Sequence, residues 1–99
     1  MKSRIVNKEI LSQLRGSPCT ICGHPGVAHH VRSVGAGGDD VVENLMVLCQ
    51  KHHVEVHTRG LTEFAAKYVN VTAWLKKYNW TWDSFMERWT RITPDGWEE

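Results

Sequence analysis

Cys19 and Cys22 stand together in PCTIC, and Cys49 is followed three residues later by His52 in LCQKHH. Thiolates and imidazoles are ligands that zinc takes readily. Two such half-sites, separated by about a hairpin's length of chain, make up a tetrahedral Cys3His set. Four protein ligands leave no open position, and three thiolates leave the ion a net charge of about −1, so it is a poor Lewis acid. The chemistry expected of Cys19, Cys22, Cys49 and His52 is therefore structural zinc. The competing readings are free buried cysteines and a redox Cys-x-x-Cys; the second lacks the βαβ context it requires. Three cysteines are an odd number and a poor basis for a disulfide framework. His24 reads as a loop histidine, with a place as rival to His52 for the fourth ligand.

A second group of histidines lies beside the first. Successive helical residues are rotated by ~100°, so His52 and His53 point in different directions on a helix. His53 and His57 differ by only ~40° and share one face. One helix can thus give His52 to the cysteines and present His53 and His57 to a separate ion. His29 and His30, in VAHHV, are the partners at hand. Neighbours in an ideal strand face opposite sides, so the chain must bend or bulge if both serve one site.

Several elements have to position these residues. Ile5, Val6, Ile10, Leu11 and Leu14 fit an amphipathic helix over 5–14, stopped by Gly16 and Pro18. Val27–Val34 is partly β-branched and predicts a strand, GAGGDD (35–40) a loop, and Val41–Leu48 a second strand entered through a turn at Glu43-Asn44. Cys49–Thr58 predicts the histidine-bearing helix, ended near Gly60. All nine aromatic residues follow position 60. Phe64/Tyr68, Trp74/Tyr78 and Phe85/Trp89 are spaced i,i+4, and Thr62, Thr72 and Thr81 are N-cap candidates, which together predict three short helices. The tryptophans are expected to pack in the core or an interface in preference to stacking on bases. The expected organisation is one domain over 1–99, with a metal-bearing front (1–60) and an aromatic helical extension (61–99) packed on it.

At motif level, "AHHV…ENLMVLCQKHHVEVH" with the preceding Cys-x-x-Cys resembles the HNH endonucleases, in the form found in small phage and bacterial proteins. The resemblance covers residues 19–57; the tail is less specifically similar to the helical tails of small phage members. It implies an α+β fold with a small ββα-metal, treble-clef-like core. Carried over by position, His29 takes the place of the first catalytic-metal ligand, often aspartate in the family. His30 falls on the general base, and Asn44 on the central asparagine that orients the loop carrying that base. His53 and His57 fall on the helix ligands, and Cys19, Cys22, Cys49 and His52 on the zinc ligands. His52 stands where many relatives have a fourth cysteine. The implied activity is DNA phosphodiester hydrolysis with 5′-phosphate and 3′-hydroxyl ends. The implied cofactors are structural zinc and one catalytic divalent ion. Three imidazoles favour Zn, Ni, Co or Mn over Mg. Arg32, Lys51 and Arg59 are candidates for phosphate contacts. The rival reading is a non-catalytic zinc module recognising nucleic acid or protein. A small-molecule zinc hydrolase is disfavoured, since the chain lacks H-E-x-x-H.

Composition agrees with a modest partner surface. Twelve basic against eleven acidic residues give a net charge of +1, which argues against tight non-specific nucleic-acid binding but leaves room for a small contact surface on the DNA backbone. The stretch MKSRIVNKEILSQLRG carries no apolar signal core and no run is long enough to span a bilayer. The expected location is the cytoplasm of a bacterial or phage-infected cell, with no membrane partner.

Overall fold

The short segment Val-Ala-His-His at 27–30 and an apolar run at 45–48 pair as a two-stranded antiparallel ribbon, β1 (Val27–His30) with β2 (Leu45–Leu48). This computed structural model describes residues 4–93 and 96–97. All four residues of β2 are buried. Thr20 and Gly26, in the cysteine loop, lie against this strand. Thr20 donates from both its amide and its hydroxyl to the Val47 carbonyl, at 2.9 Å each. A Cβ on Gly26 would sit 2.5 Å from the Leu48 carbonyl oxygen, so only glycine permits this approach. Register is unbroken, with His29 opposite Met46 and His30 opposite Leu45. No bulge interrupts the pairing at His29-His30, the condition for one having been that both rings serve one site. The strand instead ends at His30, earlier than the expected Val34, because Asn44 binds Arg32 and Ser33 caps a 3-10 turn over Val34–Ala36. A second 3-10 turn, Val42–Asn44, stands at the predicted turn into β2.

Helix α2 (Gln50–Arg59) follows with Cys49 as its N-cap and Gly60, at φ 83°, as its C-cap. His52 and Val56, one turn apart, are its buried residues. The N-terminal helix α1 spans Lys8–Leu14, shorter than the expected 5–14. Residues 4–7 are engaged elsewhere: the Ile5 amide donates to Asp39 (2.7 Å), the Asn7 amide to Asp40 (2.9 Å), and the Asp40 amide to the Ile5 carbonyl (2.9 Å). Asn7 then caps α1 by accepting from the Ile10 amide.

After Gly60, α3 (Leu61–Lys67) and α4 (Val69–Lys77) carry the predicted ring pairs Phe64–Tyr68 and Trp74–Tyr78, at 5.1 and 4.8 Å between centroids. The third predicted helix is not there. Its residues form strands β3 (Trp80–Asp83) and β4 (Arg88–Thr93), extended by β5 (Gly96–Trp97) into a second antiparallel sheet. Trp80-Thr81-Trp82-Asp83 alternates with period two, and Trp82 pairs across the ribbon with Trp89, so Phe85 and Trp89 share no helix face. The Asp83 side chain accepts from the Phe85 and Met86 amides and closes the turn. None of Thr62, Thr72 and Thr81 is an N-cap. Gly60 and Tyr68 hold those positions for α3 and α4, and Thr81 lies within β3.

Met46, Leu48 and Val56 of the front and Phe64, Val71, Leu75 and Trp80 of the tail share one buried cluster. Each such side chain contributes roughly 1.5–3 kcal/mol when fully buried. The Trp80 indole also donates to the Glu43 carbonyl (2.7 Å), which ties the tail to the turn holding Asn44. The architecture is mixed α+β, with a ββα unit suited to holding a metal. No helix among the described residues is long and apolar enough to cross a membrane.

Candidate metal centres

Two clusters of metal-capable side chains converge on α2. In the first, the ligand atoms of Cys19, Cys22, Cys49 and His52 all lie within 4.8 Å of one another. Cys22 Sγ is 3.7 Å from Cys49 Sγ, and His52 Nδ1 is 3.6 Å from Cys19 Sγ and 3.2 Å from Cys49 Sγ. A tetrahedron with Zn–S bonds of ~2.3 Å has S···S edges of ~3.8 Å, so the set fits zinc in both donor type and spacing. The Cys19–Cys22 loop folds back on its own sulfur: the Ile21 amide donates to Cys19 Sγ (3.5 Å) and the Gly23 amide to the Cys19 carbonyl (3.0 Å). Burial raises the Cys19 thiol pKa, but amides of Cys22, Cys49 and Ile21 and the His52 ring outweigh it and bring the value down to about 6. The thiolate that zinc needs is thus favoured in advance of the ion. His24 is exposed, 3.3 Å from Cys22 Sγ, and stands outside the four-ligand group. The Tyr68 ring packs edge-on to His52 at 5.3 Å and seals the cluster from the tail side.

The second cluster is His29 from β1 with His53 and His57 from α2. Ring centroids are 5.2 Å apart for His29–His53, 5.1 Å for His29–His57 and 4.7 Å for His53–His57. The Nε2 atoms of His53 and His57 approach to 3.1 Å. Burial, then the rings of His53, His57 and His30, push the His29 pKa down to about 4. Burial and His57 lower that of His53. Rings held neutral keep lone pairs free for a cation. These three histidines, with His30, Ala28, Ser33 and Val34, line an open cleft of about 260 Å³.

His30 points away from the imidazole cluster far enough to meet Asp40, with Nε2 2.7 Å from Oδ1. Asp40 also accepts from Arg4 (2.8 Å) and from the Asn7 amide (2.9 Å). Burial alone would raise its carboxyl pKa; the His30 contact, the Asn7 amide and Arg4 together hold it below the usual carboxylate range. Asn44 braces the loop between them. Its side chain accepts from the Arg32 amide (2.7 Å) and donates to the carbonyls of Arg32 (3.1 Å) and Asp39 (3.0 Å). Gly38 is required at this crossing, because a Cβ there would lie 1.7 Å from the Arg32 carbonyl oxygen.

The three candidate phosphate contacts are placed differently. Arg32 lines an adjoining cleft of about 300 Å³ with Arg88, Trp89, Leu61 and Ser33, the last shared with the histidine cleft. Lys51 is exposed on the first turn of α2. Arg59 is paired with Glu55 at 2.8 Å, in a network with Lys67 and Tyr68, and lines neither cleft. Asp40 and Arg4 were missed by the sequence reading; the one available signal was the Asp39-Asp40 pair closing a glycine loop beside the histidines.

No curated protein and no solved structure matches the chain. Residues 19–59 match the family model of the HNH endonucleases, and that span runs from Cys19 to the last residue of α2, taking in every member of both clusters. Over residues 19–59 the chain is thus similar to the HNH endonucleases.

Proposed function

We propose that the protein is a metal-dependent endonuclease that hydrolyses DNA phosphodiester bonds, with His30 as general base. The observation that carries this reading is the convergence of His29, His53 and His57 at 4.7–5.2 Å between rings, in an open cleft bordered by His30 and separate from the thiol cluster. A module that only binds would need the thiol cluster alone. His29, His53 and His57 would hold a divalent ion, which would supply Lewis acidity toward the phosphate. Its ligand type favours Zn, Ni, Co or Mn over Mg.

His30 takes a proton from water as the water oxygen bonds to phosphorus and the P–O3′ bond breaks; the departing 3′ oxygen takes up a proton from solvent, leaving 5′-phosphate and 3′-hydroxyl ends. Asn44 holds both arms of the loop that follows His30, which fixes where the ring sits relative to the cleft. Arg32 would contact backbone phosphates beside the scissile one, a reading supported by its position with Arg88 in the adjoining cleft. Lys51 offers a weaker contact from the exposed start of α2, and Arg59 contributes through Glu55 to the helix before it contributes to DNA. Cys19, Cys22, Cys49 and His52 would hold a structural zinc, which would tie α2 to the cysteine loop and, with four protein ligands, leave no position for substrate.

The test is incubation of the protein with supercoiled plasmid across Mg, Mn, Co, Ni and Zn, beside His30→Ala. The parent is expected to nick or linearise the plasmid with at least one ion. His30→Ala is expected to lose ~10²–10⁴-fold in rate at unchanged metal content. Equal cutting by parent and variant contradicts the assignment of the base.

A further inference from the structure

We infer that Asp40 is a positioning residue for His30: its buried carboxylate holds the ring as the Nε2–H tautomer and leaves Nδ1 as the proton acceptor at the cleft. The inference rests on the reading of His30 as the base. The Asp40 side chain is 1% exposed, and its Oδ1 lies 2.7 Å from His30 Nε2. A carboxylate only accepts, so the short contact requires the hydrogen on Nε2. A neutral imidazole with Nε2 protonated keeps its lone pair on Nδ1. His30 borders the same cleft as His29, His53 and His57, so Nδ1 is the nitrogen left to serve it.

The carboxylate is itself fixed from several directions. Arg4 donates to Oδ1 and the Asn7 amide to Oδ2, at 2.8 and 2.9 Å. The Asp40 amide donates to the Ile5 carbonyl, and the preceding Asp39 binds the Ile5 amide through its side chain and Asn44 through its carbonyl. The segment before α1 thus contributes to the site through Asp40, although it lies outside the span that matches the family. A buried acceptor immobilised this way fixes both tautomer and ring angle, as outer carboxylates do for histidines elsewhere.

Two measurements test this. In the first, ring ¹⁵N–¹H spectra of His30 are recorded in the zinc-containing parent. The expected result is a protonated Nε2 with a slowly exchanging hydrogen and an unprotonated Nδ1. A protonated Nδ1, or rapid averaging of the two tautomers, overturns the inference. In the second, Asp40→Asn is compared with parent and His30→Ala in plasmid cleavage. The amide carries no charge to hold the ring, so kcat is expected to fall by ~10-fold or more, toward the ~10²–10⁴ that a general base is worth, with KM within about two-fold. If His30→Ala is inactive while Asp40→Asn keeps the parental kcat, the positioning role fails and the base assignment stands. If His30→Ala cuts normally, the base assignment fails, and the spectra still decide whether Asp40 sets the tautomer. If Asp40→Asn does not fold, the parental spectra alone decide.

Discussion

The two histidine-bearing clusters share one helix and differ in closure. His52 is buried and points at three sulfurs; one residue on, His53 faces a cleft with His57 exposed beside it. The first cluster has four ligands packed at 3.2–3.7 Å with a tyrosine ring against them. The second has three imidazoles and an open side. A ~100° step along a helix is enough to turn one imidazole toward the sulfurs and the next toward the open cleft. The division also follows ligand chemistry, since thiolates quench the charge of an ion and neutral imidazoles leave it intact.

The comparison is broken most severely at the sulfurs. Cys22 is exposed, so Cys22→Ser removes little packing, and its effect reports on the ion. Binding at a closed zinc site is folding energy, with apparent values of ~10–16 kcal/mol against total stabilities of ~5–15. The variant is expected to lose its zinc and its cooperative thermal transition, as checked by elemental analysis and circular dichroism. Retention of both at parental levels would contradict the assignment of that cluster.

Acid gives a smaller effect, and it sharpens the other half of the comparison. The folded pKa of His29 is pushed down to about 4, first by burial and then by the neighbouring rings, from an ordinary value of 6.5. The unfolded chain therefore takes up this proton before the folded one does. The stability from the neutral ring is fully present above pH ~6.5 and is lost as pH falls toward 4, with a slope of at most ~1.4 kcal/mol per pH unit. Urea midpoints at pH 7, 5.5 and 4.5 should fall less steeply for His29→Gln than for the parent. Identical slopes would mean that the His29 ring is no more desolvated than a surface histidine.

Legibility in the sequence followed the same division. The paired half-sites and the His-x-x-x-His spacing are local patterns, and one helix turn is short enough for spacing alone to say which rings share a face. The ββα core was legible for the same reason: β-branched and apolar runs, glycine at 35, 37 and 38, and Gly60 as a stop. What spacing could not show was contact across a loop. Asp40 meets His30 only because Gly38 lets the chain cross Arg32 closely and Asn44 clamps both arms. The start of α1 was misplaced on the same account, since Ile5 and Asn7 are claimed by Asp39 and Asp40. The third tail helix failed for a different reason. Phe85 and Trp89 fit a helical spacing by coincidence, while Trp80-Thr81-Trp82 carried a period of two in residues that favour strands.

The most direct measurement of the central claim is the number of ions bound per chain, by elemental analysis and by titration of zinc-containing protein with Ni or Mn, for the parent and for His53→Ala. The account predicts two ions for the parent, one tightly held and one exchangeable. It predicts one for the variant, with its thermal transition still present because His53 lies outside the thiol cluster. A parent that binds a single ion under loading conditions, or a variant that still binds two, would contradict a separate imidazole site.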